Sequence, residues 1–200
     1  MPYDDAVLIH RFDDLTLTGA LRQAALLQAI RYLNDRAIGG DIVECGVWRG
    51  GAVLLAKALC EKSPLRRDYY LFDTFAGMSE PTDADIAHDG RSAVALYDQY
   101  RKPTHSEWCY ASLEDVRENF RANGLIDSSV IFVKGKVEET LRDQKNLPKS
   151  IALLRLDTDF YESTKMELEV LYPRLVSGGV LIIDDYGHWQ GARKATDEYF

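Results

Sequence analysis

An α/β domain built on a parallel sheet with helices on both faces is predicted from three observations. Strand-like and helix-like stretches alternate from residue 41 to the end of the 200-residue chain, the pattern of parallel strands joined by helices. The stretch 41–52, DIVECGVWRGGA, reads as a strand, a glycine turn and a helix start, the first unit of a nucleotide-binding α/β fold. Glu44, Asp73, Asp157, Asp184 and Asp185 all fall at the carboxyl ends of predicted strands, where such folds bind their ligands.

The length suits a single domain over residues 1–200, with residues 1–40 as an N-terminal helical segment. Acidic residues outnumber basic ones, 32 against 24, for a net charge of −8. No Arg/Lys patch is interleaved with aromatics, which argues against a nucleic-acid partner. The N-terminus MPYDDAVLIH has early acids and lacks the apolar core of a signal peptide. Nothing approaches the roughly 20 apolar residues of a membrane-spanning helix, so no membrane role is expected. Cys45, Cys60 and Cys109 are odd in number and lack CxxC spacing, which suits reduced thiols in a cytoplasmic enzyme. Cys45 and Cys60 read as small buried hydrophobes.

Residues up to Leu17 carry little signal. Thr18 then precedes GALRQAALLQAIRYLNDRA, whose Leu21, Ala24, Ala25, Leu27 and Leu33 trace a broad helical face. Thr18 is placed to cap that helix, and Gly39-Gly40 ends it. In the strand–turn–helix unit that follows, Gly46 and Gly50 allow a close backbone approach to a ligand; the plainer alternative is an ordinary βα turn. The spacing is ECGxxxGG, so the GxGxxG fingerprint of dinucleotide binding is absent. Glu44, just before the first glycine, repels a pyrophosphate but can accept a hydrogen bond from an ammonium group. S-adenosylmethionine (SAM) carries such a group and no phosphate, so the loop favours SAM over a nicotinamide cofactor.

Residues 69–72 form an aromatic and branched strand ending at Asp73. An acid there accepts hydrogen bonds from ribose hydroxyls; the alternative is a turn-initiating Asp. The polar stretch 77–110 is long enough to be a functional lid, with a short helix near 92–100. His88 and His105 within it read as solvated loop residues. Ser112 opens SLEDVRENF with Asp115 three residues on, an acidic capping box, and Leu113, Val116 and Phe120 point inward. A third strand covers 129–134 and ends at Gly135; KVEETLRD is a short helix. Residues 150–156, SIALLRL, are nearly continuous in apolar character, as in a parallel strand buried on both faces. Asp157-Thr158-Asp159 ends it, and a helix follows that stops near Pro173. Gly178-Gly179 introduces the strand VLII, ended by Asp184-Asp185, before the last helix in GHWQGARKATDEYF.

Consecutive parallel strands thus deliver Asp157, Asp184 and Asp185 to one rim. Three carboxylates so close repel one another and suit a hard divalent cation. Oxygen-only ligation favours magnesium over zinc. The competing reading has Asp184 and Asp185 capping a turn and Asp157 starting a helix. His188, three residues beyond the pair, is a candidate base or acceptor-binding residue.

The blocks VECGVWRGG, LFDTFAGM, SLEDVRENF, LRLDTDFYEST and GGVLIIDDYGHWQGARKATDE together resemble the macrocin O-methyltransferase family over residues 18–200. The resemblance implies a Rossmann-like class I SAM-dependent methyltransferase fold with strand order 3-2-1-4-5. It implies a magnesium-requiring enzyme of antibiotic biosynthesis that methylates hydroxyls of a sugar or similar polyol. Cofactor contacts are carried over to Thr18, Val43, Glu44, Cys45, Gly46, Val47, Asp73, Thr74, Phe75, Ala76, Gly77, Ser112, Gly135 and Lys136. Metal ligation is carried over to Asp157, Asp184 and Asp185, and the resemblance also marks Asp157 as the catalytic base; His188, from its position beyond the acid pair, is the alternative. Family members continue past the helix that starts near Gly191 into two further strands, so strands 6 and 7 are expected to be missing. A homo-oligomer whose partner chains cover the exposed edge is the other expectation. The function that competes with O-methyl transfer is a SAM-binding module without turnover. A nicotinamide oxidoreductase needs a phosphate-cradling loop that the chain lacks.

Overall fold

The computed structural model describes residues 3–200 and is centred on five parallel strands: β1 (Asp41–Cys45), β2 (Tyr69–Asp73), β3 (Val130–Lys134), β4 (Ile151–Leu156) and β5 (Leu175–Ile183). They lie side by side as β3-β2-β1-β4-β5, the order that the family resemblance implies. The chain reverses its direction of travel across the sheet beside β1, which opens a crevice beyond the carboxyl ends of β1 and β4. Strand alternation sends Val43, Cys45, Leu154 and Leu156 into one core cluster and Ile42 and Leu153 into the other. Glu44 pairs in register with Arg155, so two charged side chains share one face at the crevice.

One layer of helices comprises α1 (Tyr3–Phe12), α2 (Ala20–Asp35), α3 (Gly51–Cys60) and α5 (Leu113–Ala122). The other face carries α6 (Val137–Thr140) and α7 (Tyr161–Val170), with α8 (Gln190–Tyr199) packed on α7. The short α4 (Ala93–Tyr100) lies in the long connection after β2, where a helix near 92–100 was predicted. All six residues of β4 are buried, whereas β5 is half-buried apart from the exposed Ser177 and Gly178. Among the described residues no strand pairs with the outer side of β5, and no helix is long and apolar enough to cross a membrane.

Several local readings change. The N-terminal residues that carried little signal form α1, which buries Ile9 and Phe12. In α2 the buried positions are Gln23, Leu26, Leu27, Ile30 and Leu33; Leu21 is 84% exposed and Ala25 is exposed as well. Gln23 holds an inward position because its amide nitrogen donates to the Thr18 carbonyl at 2.7 Å and to Asp13 at 3.2 Å, which satisfies that nitrogen in the core, while the amide oxygen is buried without a partner among the described residues. Gly19, not Thr18, occupies the N-cap of α2, and the Thr18 hydroxyl instead accepts from Arg155 at 2.8 Å. The capping box of α5 is present, with Ser112 and Asp115 bonded reciprocally. The KVEETLRD helix is a single turn. β5 starts at Leu175, before Gly178-Gly179, because Gly178 (φ +78°) absorbs a bulge within the strand.

Candidate active site

A cavity of about 370 Å³ opens at the carboxyl ends of β1, β2, β4 and β5. Its first wall is the glycine loop. Gly46 (φ +79°) donates to the Phe72 carbonyl at 2.8 Å, and a Cβ there would overlap the carbonyl oxygen of Asp157. Only glycine lets the two loops touch. Asp73 holds the next residues in place: one oxygen accepts from Val47 N at 2.7 Å and Trp48 N at 3.2 Å, the other from Phe75 N at 2.7 Å. Burial pushes its carboxyl up, and these N–H groups oppose the shift. The Thr74 hydroxyl lies 3.5 Å from that second oxygen but sits closer to the Gly77 carbonyl, at 2.7 Å; a carboxylate has about four acceptor sites, so the backbone donors leave Asp73 one.

Arg155 links this wall to the acid rim, and sequence reasoning missed it. Its guanidinium is buried (4% exposed) and one nitrogen pairs with both Glu44 and Asp157, the latter at 2.6 Å. The other nitrogen reaches Thr18 at 2.8 Å and Asp184 at 2.9 Å. Burial works against the charge of Arg155, but Asp157, Glu44 and Asp184 outweigh it and hold the guanidinium charged. Arg22 pairs with the second oxygen of Asp184. Burial raises the Glu44 carboxyl while Arg155 opposes the shift. The second oxygen of Glu44 is buried and has no partner among the described residues.

Asp157, Asp184 and Asp185 each offer an oxygen within 4.8 Å of the others. One oxygen of Asp185 is buried without a partner among the described residues. Burial pushes the Asp157 carboxyl well above its ordinary range; Arg155 opposes this, and Asp185 and Asp184 add to it. Oxygen donors that crowd one another and include an orphaned buried atom fit a hard cation such as Mg²⁺. Asp159, also missed, lines the same cavity with a left-handed backbone (φ +70°), uncommon for a residue with a Cβ. Burial, then Asp185, pushes its carboxyl well up. The LRLDTDF string displays both acids, but the turn that aims Asp159 inward is not readable from it.

An aromatic wall closes the cavity. Trp108 and Trp189 line it with centroids 6.0 Å apart, and Phe160 packs edge-on against both. Trp108 is fixed by its carbonyl, which accepts from Met78 N at 2.9 Å. The 77–110 stretch docks on the first turns of α7 and α8. Buried Asp85 accepts from Tyr161 N at 2.9 Å, Ala87 bridges Trp189, and His88 N donates to the His188 carbonyl at 2.7 Å. The exposed rings of His88 and His188 lie 5.0 Å apart at the rim.

Of the residues marked by the sequence, Thr18, Glu44, Gly46, Val47, Asp73, Thr74, Gly77, Gly135, Lys136, Asp157, Asp184, Asp185 and His188 line the cavity. Val43, Cys45, Phe75, Ala76 and Ser112 do not. Val43 and Cys45 alternate away from Glu44 into the opposite core. Phe75 is packed against Phe132. The Ala76 carbonyl accepts from Ser106 N at 2.8 Å. The Ser112 side chain is committed to capping α5.

The strand order, the glycine loop and the acids at the strand ends define a class I SAM-dependent methyltransferase. The chain belongs to the macrocin-O-methyltransferase (TylF) family, whose model matches residues 12–200, and is an O-methyltransferase. It is 34% identical over 185 residues to the demethyldecarbamoylnovobiocin O-methyltransferase of Streptomyces niveus, covering 92% of this chain and 67% of that protein. It is 35% identical to the 8-demethyl-8-(2,3-dimethoxy-alpha-L-rhamnosyl)-tetracenomycin-C 4'-O-methyltransferase of Streptomyces olivaceus, with the same coverage of 92% and 67%. Among solved structures the O-methyltransferase NovP superposes with a TM-score of 0.77 at 33% identity, over 92% of this chain and 73% of that one. The calicheamicin methyltransferase CalS11 shares the fold, with a TM-score of 0.64 at 20% identity over 99% and 85%.

Proposed function

We propose that the protein transfers the methyl group of SAM to a hydroxyl of a sugar or similar polyol, with Mg²⁺ assistance, in natural-product biosynthesis. The observation that carries this reading is the convergence of Asp157, Asp184 and Asp185 on the cavity that also holds the free oxygen of Glu44. The relatives support the acceptor class, since the Streptomyces olivaceus enzyme is named for methylating a rhamnosyl unit.

SAM supplies an electrophilic methyl on a sulfonium. The unpartnered oxygen of Glu44 receives its ammonium group, and the remaining acceptor site of Asp73 receives a ribose hydroxyl. Gly46, Val47, Thr74, Gly77, Gly135 and Lys136 shape the pocket around it. The chemistry Mg²⁺ would supply when bound is to make a hydroxyl more acidic and align it for attack on the methyl group. Asp157, Asp184 and Asp185 would hold the ion, and Arg155 fixes the directions of the first two carboxylates. Asp159 accepts the hydroxyl proton at a carboxylate oxygen, because Asp157 is engaged by Arg155 and the metal while His188 is exposed at the rim. Trp108 and Trp189 keep water from the reacting atoms and provide an apolar surface for the acceptor ring.

Methyl transfer from labelled SAM to polyhydroxyl acceptors is expected to stop in EDTA and return with Mg²⁺. Full turnover in EDTA would remove the metal from this reading, and tight SAM binding with no turnover on any acceptor would favour a binding module. Asp73→Ala loses a hydrogen bond to a charged group, about 1.5–3 kcal/mol, so calorimetry is expected to find SAM affinity reduced by roughly ten-fold or more. Unchanged affinity in a folded Asp73→Ala protein would reject the ribose assignment.

A further inference from the structure

The most enclosed acid behind the site has no part in the chemistry above. Glu167, on α7, is 0% exposed. The Thr158 hydroxyl lies 3.0 and 3.2 Å from its two oxygens, and the buried Cys45 thiol is a neighbour. Thr158 stands between Asp157 and Asp159, and Cys45 is the residue before Gly46. The carboxyl of Glu167 therefore holds, from behind, the acid turn that frames the cavity. Burial pushes that carboxyl well up, and its charged neighbours Glu138 and Asp157 are acids. A group so enclosed persists only if it is hydrogen-bonded.

We infer that Glu167 is a positioning residue for the metal rim, which through its bond to Thr158 sets the direction in which Asp157 is presented to a divalent cation. The inference rests on the magnesium reading given above. Partners hydrogen-bonded to the metal ligands themselves are worth about ten- to a hundred-fold in metal affinity; Glu167 acts one bond further out, through Thr158, so the lower end of that range is expected. The contact with Cys45 is weaker, because a thiol is a poor donor, so the cofactor loop depends less on Glu167 than the acid turn does.

The test is titration of the purified protein with Mn²⁺ alone, followed by electron paramagnetic resonance, with SAM affinity measured in parallel by calorimetry. Glu167→Val is expected to weaken Mn²⁺ by about ten-fold while SAM affinity stays within about two-fold. Glu167→Gln keeps a hydrogen-bonding group of the same shape and is expected to restore Mn²⁺ affinity to near the wild-type value. Thr158→Val, which removes the other partner, should reproduce the Glu167→Val loss, and the double variant should be no worse than either. That arm keeps the idea testable should Glu167→Val fold poorly. Wild-type Mn²⁺ affinity in Glu167→Val or Thr158→Val would overturn the inference, as would a loss in Glu167→Gln equal to that in Glu167→Val. A wild-type protein that binds no Mn²⁺ would overturn the metal reading and this inference with it, and the two failures are distinguishable.

Discussion

Asp159→Asn is expected to lower methyl transfer by about a hundred- to ten-thousand-fold, the usual contribution of a placed general base. Asparagine keeps the shape of the side chain but cannot accept a hydroxyl proton. Arg155 makes no bond to Asp159, so the substitution leaves the ion-pair network intact. SAM affinity should therefore stay close to wild type, which separates a lost base from a collapsed site; Mn²⁺ affinity is measured alongside, because the Asp159 carboxyl lies against the metal-site acid Asp185. Asp157→Asn is expected to lose turnover together with Mn²⁺ binding, because that residue holds the ion. Retained turnover in Asp159→Asn would return the base to Asp157 or His188, and His188→Ala decides between them.

Arg155→Met should produce the largest loss of stability. Removing one member of a buried ionic network leaves uncompensated charge and costs about 3–5 kcal/mol, or roughly 6–20 °C of Tm for a domain of this size. The loss carries a pH signature. Glu44 and Asp157 both have folded-state carboxyls raised by burial, and Arg155 is the group that holds the shift down. Raised carboxyls contribute stability in full below their unfolded values of 4.5 and 3.8 and lose it as pH rises through the folded value. Without Arg155 that window extends upward. The deficit of Arg155→Met is thus expected to be larger at about pH 8 than at about pH 5.5, as read by calorimetry. A deficit equal at both, or larger on the acid side, would mean that Arg155 does not neutralise these acids.

How far the chain could be read depended on whether a feature was local. Alternating strands and helices, the glycine loop, and Glu44, Asp73, Asp157, Asp184 and Asp185 were legible because strand ends can be located from short apolar runs. Arg155 was not, since within SIALLRL it only interrupts an apolar strand. Its meaning depends on the register that sets it opposite Glu44, a residue 111 positions away. Asp159 depends on one left-handed residue in a turn. Asp85 lies in the long polar connection and carries no local signal, yet it is 1% exposed because it meets the first turn of α7. Leu21 misled in the opposite sense: the apolar residues that opened α2 suggested its phase, but the turn that Gln23 buries through its own hydrogen bonds is the one facing the core.

The overlap awaiting any Cβ at Gly46, together with the bond from Asp157 N to the Cys45 carbonyl at 2.9 Å, bears on attempts to build chimaeras. Residues 45–46 and 157–158 meet backbone to backbone, so neither turn can be rebuilt around a fixed copy of the other. Grafting a relative's acid turn into this scaffold to change acceptor preference would need that relative's glycine turn as well. The smallest transplantable unit is the pair of loops, although more than a hundred residues separate them along the chain.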